Sequence, residues 1–438
     1  HVDFDTTASS ISGLAPGDGP IRRSMHLPDT TLSPALTSLG SAQPLAAFFE
    51  AAVATHLAVA LWRRPGQTAS QGVIDLGGAL QPAAIDFRAG EPSFVLSPFY
   101  SDTFPLRVRA DVQLDSDGLR TNHALWNGQR QRYEAFFAAY QTAQSGSRPP
   151  ARQWHTPSRS HPPRCSDYVE YRRLVNRAVD FILDSGVKKV VVSRAAAVNL
   201  HAGFDPVATF RALCQRYPTA FVSLVAIPGV GTWIGASPEL LLATDGRTLH
   251  TMALAATQAR LHGQPLHAAR WSAKEIEEQA LVSDYIRDFF QRAGVSEAAE
   301  SGPSTVAAGN VIHLQTDFRV QLPRPEQMSL ANRVLHELHP TSAVCGMPKD
   351  KALAFIRQHE GYDRSFYSGY LGPVHIDGQS HLYVNLRCMQ LGQETAYLYV
   401  GGGVTAESSP DAEWRETELK AGTLLAVLQT GVAGPHRP

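Results

Sequence analysis

Apolar residues recur along the chain at two spacings, one helical and one strand-like, without a regular alternation between them. Residues 44–62 and 124–143 predict helices, the second with an aromatic face of Trp126, Tyr133, Phe136, Phe137 and Tyr140. Residues 73–85 and 94–99 predict strands, and a stretch rich in Ser, Arg and Pro at 144–163 predicts a linker or surface loop. Beyond it, residues 166–185 predict a helix. The β-branched centre of residues 187–194 predicts a strand, as do 221–227, 231–234, 310–315, 370–374, 382–388 and 396–400. Residues 273–292 read as a helix opened by Ser272 with Glu275 three positions on, the capping-box pattern. Strands grouped by hairpin-length links, with helices placed irregularly among them, favour an α+β fold over a doubly wound one.

Two places break the pattern in a way that suggests chemistry. On the 273–292 helix, Glu278 shares the line of the apolar residues Val282, Tyr285 and Ile286. A carboxylate on a buried line needs a partner, and a metal is one candidate. Near the C-terminus, the strand 396–400 reads as ending at Gly401, Gly402 and Gly403, whose backbone N–H groups lie open to a bound anion. A helix then starts with Ser409 as N-cap and Pro410 as its first residue, and sets Glu413, Glu416 and Lys420 on one face. An anion cradle beside two carboxylates and a lysine suits a polycarboxylate ligand with a divalent cation; a solvated acidic helix face is the plain alternative.

Composition narrows the classes. Over 438 residues, 39 Lys and Arg nearly balance 40 Asp and Glu, so no net field directs the chain to nucleic acid or an anionic membrane. No apolar run is long enough to cross a bilayer, and no leader is visible at the N-terminus. Cys165, Cys214, Cys345 and Cys388 stand far apart with no metal-ligand spacing. A cytoplasmic, reduced setting is expected. Residues 1–40, rich in Ser, Thr, Pro and Gly, are expected to be loosely held.

Eight motifs in order carry a resemblance: KVVVSR (189–194), GASPELL (235–241), LAATQ (254–258), SAKEIEEQALV (272–282), HPTSAVCGMPK (339–349), GYDRSFYSGYLG (361–372), NLRC (385–388) and GGGVTAESSPDAEWRETELK (401–420). Together they resemble the chorismate-utilising enzymes, which include the isochorismate, salicylate, anthranilate and aminodeoxychorismate synthases. Within that family the look is of menaquinone- or siderophore-type isochorismate synthases. The resemblance implies one large α+β unit, two antiparallel sheets packed as a sandwich with helices outside. Residues 1–163 then add strands and helices to the same unit, and residues 164–432 form the chorismate-binding catalytic region.

The family likeness also implies the chemistry, Mg2+-assisted attack of a nucleophile at C2 of chorismate with loss of the C4 hydroxyl. Lys189 takes the place of the general base that activates water, which requires its proton to be lost, and Lys188 faces solvent. Glu239 takes that of the general acid, for which a raised pKa is needed. Glu278 and Glu416 match the direct Mg2+ ligands, with Glu413 and Glu275 close by. Arg387 is matched to a substrate carboxylate, joined by Gly401, Gly402, Gly403, Lys420 and Tyr367. His313 matches a ring-facing histidine; His339 reads as structural. Ala256 and Thr257 stand where the family has Gly-Thr, so the methyl of Ala256 either crowds the substrate or forces a positive φ. Gln279 stands where a histidine is usual.

Lys189 argues for water over ammonia, and no glutamine amidotransferase partner is expected. Salicylate synthases tend to place threonine where this chain has Ala343, so isochorismate is the expected product. Salicylate synthesis, and a catalytically impaired chorismate-binding relative, are the alternatives.

Overall fold

The computed structural model describes residues 43–428, apart from 79, 81, 122–127, 147–153, 159–161, 262, 264, 296 and 323–327. The first stretch runs α1 (Gln43–Ala54), β1 (Ala58–Arg63), β2 (Gln71–Asp75), β3 (Ser93–Ser97), β4 (Leu106–Arg109), β5 (Val112–Asp115), β6 (Gly118–Thr121) and α2 (Arg130–Gln144). The middle runs α3 (Tyr168–Ser185), β7 (Lys189–Asn199), α4 (Pro206–Arg216), β8 (Phe221–Ile227), β9 (Gly231–Ser237), β10 (Leu240–Thr244) and β11 (Thr248–Ala259). Then come α5 (Ala273–Arg292), β12 (Ala298–Ala308), β13 (Val311–Gln321), α6 (Ser329–Leu338), β14 (Gly346–Met347) and α7 (Lys349–His359). The chain closes with β15 (Tyr370–Val374), β16 (Ser380–Val384), β17 (Cys388–Leu391), β18 (Thr395–Val404) and α8 (Pro410–Leu428).

These strands form two antiparallel sheets. One has the order β14-β7-β18-β17-β9-β8-β1-β2-β5-β6, the other β12-β13-β11-β10-β16-β15-β3-β4. Alternation along single strands shows how they pack. Ala58, Ala60 and Trp62 of β1 join a core with Phe94, Leu96, Leu371 and Tyr383 of the second sheet. Val59 and Leu61, pointing the other way, join a core with α1, α2 and α4. The sheets meet face to face through stacked Phe221 and Tyr383, 4.1 Å apart, and through Trp62 and Phe94, 5.3 Å apart. Helices cover the outer faces, as in α5, whose Val282, Ile286, Phe289 and Phe290 pack with Leu249 and Phe318 of the second sheet. The fold is the expected α+β sandwich. Residues 58–121 supply strands to both sheets, so the stretch at 144–163, much of it outside the described residues, does not separate two cores.

Local signals set several boundaries. Asp167 and Glu170 form a capping box on α3, and Ser272 and Glu275 form one on α5. Where sequence patterns misled, the reasons are physical. Residues 44–62 hold a helix and then a strand: α1 ends at Ala54, and β1 is buried on both faces, a pattern periodicity cannot tell from a buried helix. β2 ends at Asp75 and not near 85. The aromatic helix begins at Arg130; Trp126 lies outside the described residues, as do residues 1–40. The expected strand 382–388 is two strands in different sheets, β16 and β17, separated by Asn385–Arg387, with Arg387 at φ 49°. The strand expected at 396–400 continues through all three glycines to Val404.

Candidate active site

The site is built on the long pairing of β7 with β18. Lys189 opens β7 and Val404 closes β18, so Gly401, Gly402 and Gly403 lie opposite Ser193, Val192 and Val191. They sit within a ladder, not in a loop beyond it, and their lack of side chains makes room for other groups. A Cβ on Gly403 would stand 2.5 Å from Lys189 Cε and 2.9 Å from Glu278 Oε1; on Gly402 it would stand 2.7 Å from Glu413 Oε2. Lys189 is 2% exposed, and its Nζ donates to Glu278 Oε1 at 2.7 Å. Lys188, facing the other way, is exposed.

Beside this pair, α8 presents Glu413, Glu416 and Lys420. Lys420 Nζ donates to Glu416 Oε1 at 2.7 Å and to the Gly401 carbonyl at 2.8 Å. Glu413 is buried; its Oε1 accepts from Ser408 Oγ at 2.7 Å, with Lys274 Nζ 3.6 Å away. Its Oε2 is buried without a hydrogen-bond partner. Burial, then the nearby Glu416 carboxylate, push the Glu413 carboxyl up to about 7. Burial acts to raise Glu278 as well, but Lys189 outweighs it and holds that carboxyl below its usual value. Among the described residues no three metal-binding side chains stand together as a ready cluster; lysines supply the countercharge. Glu275 is turned away: its carboxylate accepts from Ser272 N at 2.7 Å and from Gln258 Nε2 at 2.9 Å, so it completes the helix cap. Gln279, buried on α5, donates to the Ala253 carbonyl and to Thr316 Oγ1.

The remaining groups carry complementary charge. Glu239, 3% exposed in the link between β9 and β10, accepts a bond from Thr341 Oγ1 at 3.2 Å. Burial lifts its carboxyl to about 7, against the opposing pull of that bond and of Lys189 and Lys420. Arg387 is buried too, and makes no ion pair with a described carboxylate; burial lowers its guanidinium to about 10. It donates to Thr423 Oγ1 at 3.2 Å and to His313 Nε2 at 3.1 Å. Arginine only donates, so Nε2 accepts and the His313 proton sits on Nδ1, which donates to the Ala256 carbonyl at 2.8 Å. Burial, helped by Arg387, lowers His313 to about 3, so it is neutral. Thr257 Oγ1 lies 3.3 Å from the same Nδ1. Ala256 has φ 57°, the left-handed backbone that glycine adopts without cost. Tyr367 stacks on Tyr399 with ring centres 5.5 Å apart, and burial pushes its hydroxyl up to about 12. His339 bonds the Pro98 carbonyl at 3.0 Å, away from these groups, as a structural histidine.

One cavity gathers Glu239, Ala256, Thr257, Glu278, His313, Ala343, Tyr367, Arg387, Gly401, Gly402, Gly403, Glu416 and Lys420 in its lining. The profile of the family described as "Chorismate binding enzyme" matches residues 110–429. The chain belongs to the chorismate-binding enzymes. The vibriobactin-specific isochorismate synthase of Vibrio cholerae serotype O1 is 30% identical over 262 residues, 59% of this chain and 66% of that protein. The isochorismate synthase EntC of Escherichia coli K12 is 29% identical over 267 residues, 60% and 68% of the two chains. These matches thus span about two thirds of each relative. Among solved structures, the menaquinone-specific isochorismate synthase MenF of E. coli superposes with a TM-score of 0.69 at 23% identity, covering 88% of this chain and 91% of that one. Anthranilate synthase component I of Streptococcus pneumoniae reaches 0.56 at 20% identity over 77% of each chain. Both similarities concern the fold.

Sequence reasoning missed some contributors. Thr341, which bonds Glu239, lay in view inside HPTSAVCGMPK. Lys274 had a signal only as the neighbour of a capping box. The apolar lining from Val191, Leu254, Val344 and Leu386 lies inside the quoted motifs, but those side chains read as ordinary core.

Proposed function

We propose that the protein is a Mg2+-dependent isochorismate synthase that adds water at C2 of chorismate and expels the C4 hydroxyl. The observation that carries this reading is one cavity in which the buried carboxyl of Glu239, raised to about 7, accompanies a buried arginine that makes no ion pair with a described carboxylate, Arg387, beside the Lys189–Glu278 pair. Arg387 would bind a substrate carboxylate, its fork matching both oxygens. Lys189 would take a proton from the attacking water as the C2–O bond forms. The ring double bond shifts, the C4–O bond breaks, and Glu239 delivers its proton to the departing hydroxyl, which leaves as water. Water consumed and water released balance, so the net change is an isomerisation.

Glu278, Glu413 and Glu416, though not gathered as a ready cluster, would hold a hard divalent cation: they offer carboxylate oxygens, one of them buried and unpartnered, in space kept open by Gly402 and Gly403. When bound, Mg2+ would supply positive charge to a substrate carboxylate. Lys189 Nζ now bonds Glu278 Oε1 at 2.7 Å, and as the base it would face the attacking water instead.

Ala343 in the lining offers a methyl and no hydroxyl, which supports stopping at isochorismate. The product would serve menaquinone or siderophore synthesis, the uses for which the relatives are named. A cytoplasmic enzyme acting without an amidotransferase subunit fits this reading. Chromatography of products after incubation with chorismate, with and without Mg2+, tests it. Isochorismate appearing only with Mg2+ is expected. Salicylate with pyruvate would replace the reading with salicylate synthesis, and an unchanged substrate would contradict it.

A further inference from the structure

A second buried ion pair lies behind the cavity and takes no part in the proton transfers above. The side chains of Arg364 and Glu360 are 0% and 1% exposed, joined by bonds of 2.6 Å from Nε and 2.7 Å from Nη2. Such pairs are weak evidence for stability, since apolar replacements often serve as well. Their bonds to the surroundings are more informative. Arg364 Nη2 donates to the Val191 carbonyl at 2.7 Å, and Nη1 to the Val344 carbonyl at 2.9 Å. Glu360 Oε1 accepts from both N and Oγ of Ser193, at 2.6 and 2.7 Å. The guanidinium carbon lies 5.9 Å from the centre of the Tyr367 ring. The guanidinium also lies 4.3 Å over the ring of Phe99, just past β3 in the other sheet.

Each of these bonds ends on a segment that supplies the site. Val191 and Val344 line the cavity, Val191 stands two residues after Lys189 on β7, and Ser193 pairs with Gly401. We propose that Arg364, braced by Glu360, is a positioning residue that holds the Lys189 strand and the Tyr367 loop in register around the substrate. Four donor directions are used at once on a planar fork, which a lysine cannot reproduce.

The inference rests on the isochorismate synthase reading, so wild type and variants are assayed together with chorismate and Mg2+. Arg364→Lys keeps the charge opposite Glu360 and loses the fork. It is expected to lower kcat by about 10²-fold with KM nearly unchanged, as misplacement of a catalytic group by about 1 Å does. Glu360→Gln keeps an acceptor for Ser193 and loses the charge, and should lower kcat less, in protein that melts as one folded species. It also serves should Arg364→Lys not fold. Wild-type kcat in either folded variant, or a loss matched by the fraction unfolded, would overturn the positioning role alone. A wild type that leaves chorismate unchanged would overturn the reaction, and this inference with it.

Discussion

Two regions in and beside the same cavity handle charge in opposite ways. Around Gly402 and Gly403, carboxylates and lysines are matched: Glu278 with Lys189, Glu416 with Lys420, Glu413 near Lys274. Arg387 bonds a neutral histidine and a threonine hydroxyl, and no described carboxylate pairs with it, Glu416 acting only from a longer distance. A buried cation without a partner is costly, so the second region is incomplete until an anion arrives. The first is balanced, and changes only if another cation replaces a lysine. Glu239 belongs to neither: burial alone raises its carboxyl, to about 7.

The largest expected effects come from breaking the proton-handling groups. Lys189→Ala should lower kcat by about 10³-fold, within the range for a lost general base, and also leaves the half-buried Glu278 without its cation. Steady-state kinetics on folded protein checks it. Glu239→Gln should cost about 10²- to 10⁴-fold. In the wild type the acid must be protonated, so kcat should fall as pH rises past about 7. The same shift has a stability sign. A carboxyl raised from 4.5 to about 7 on folding adds stability fully present below pH 4.5 and lost as pH rises through 7. Glu239→Gln should therefore gain stability over wild type at pH 8 by up to roughly 3 kcal/mol, and none at pH 4, in denaturant titrations.

Arg387→Lys sharpens the contrast between the two regions. It keeps a charge but loses the fork, and should raise KM by about tenfold to a hundredfold, consistent with the loss of one charged hydrogen bond. The smallest effect is expected at Ala256. Glycine there relieves the left-handed backbone but frees the unfolded chain, for a net gain of at most about 1 kcal/mol. Thermal melts of Ala256→Gly decide the balance.

Much of this was legible in the sequence because the motifs place chemistry-bearing side chains at fixed positions. Glu239, Glu278, Arg387 and Glu416 meet although nearly two hundred residues of chain separate the first from the last. At Ala256 the sequence left two outcomes open, crowding of the substrate or a positive φ, and the backbone has the positive φ. What stayed hidden depended on tertiary partners. The Lys189–Glu278 bond spans two elements, and no local pattern announces it. Gly401–Gly403 read as the end of the strand because glycine weakens a strand interior, yet here pairing with β7 carries the strand through. The sheet change at Asn385–Arg387 follows from one residue's φ, which composition does not reveal.

The most direct test of the central claim is turnover of chorismate in water enriched in oxygen-18, read by mass spectrometry of the product. Attack by external water at C2, with departure of the C4 hydroxyl, predicts isochorismate carrying one heavy oxygen, at C2. Isochorismate without the label would mean that the hydroxyl migrates within the substrate, and would contradict the roles given to Lys189 and Glu239.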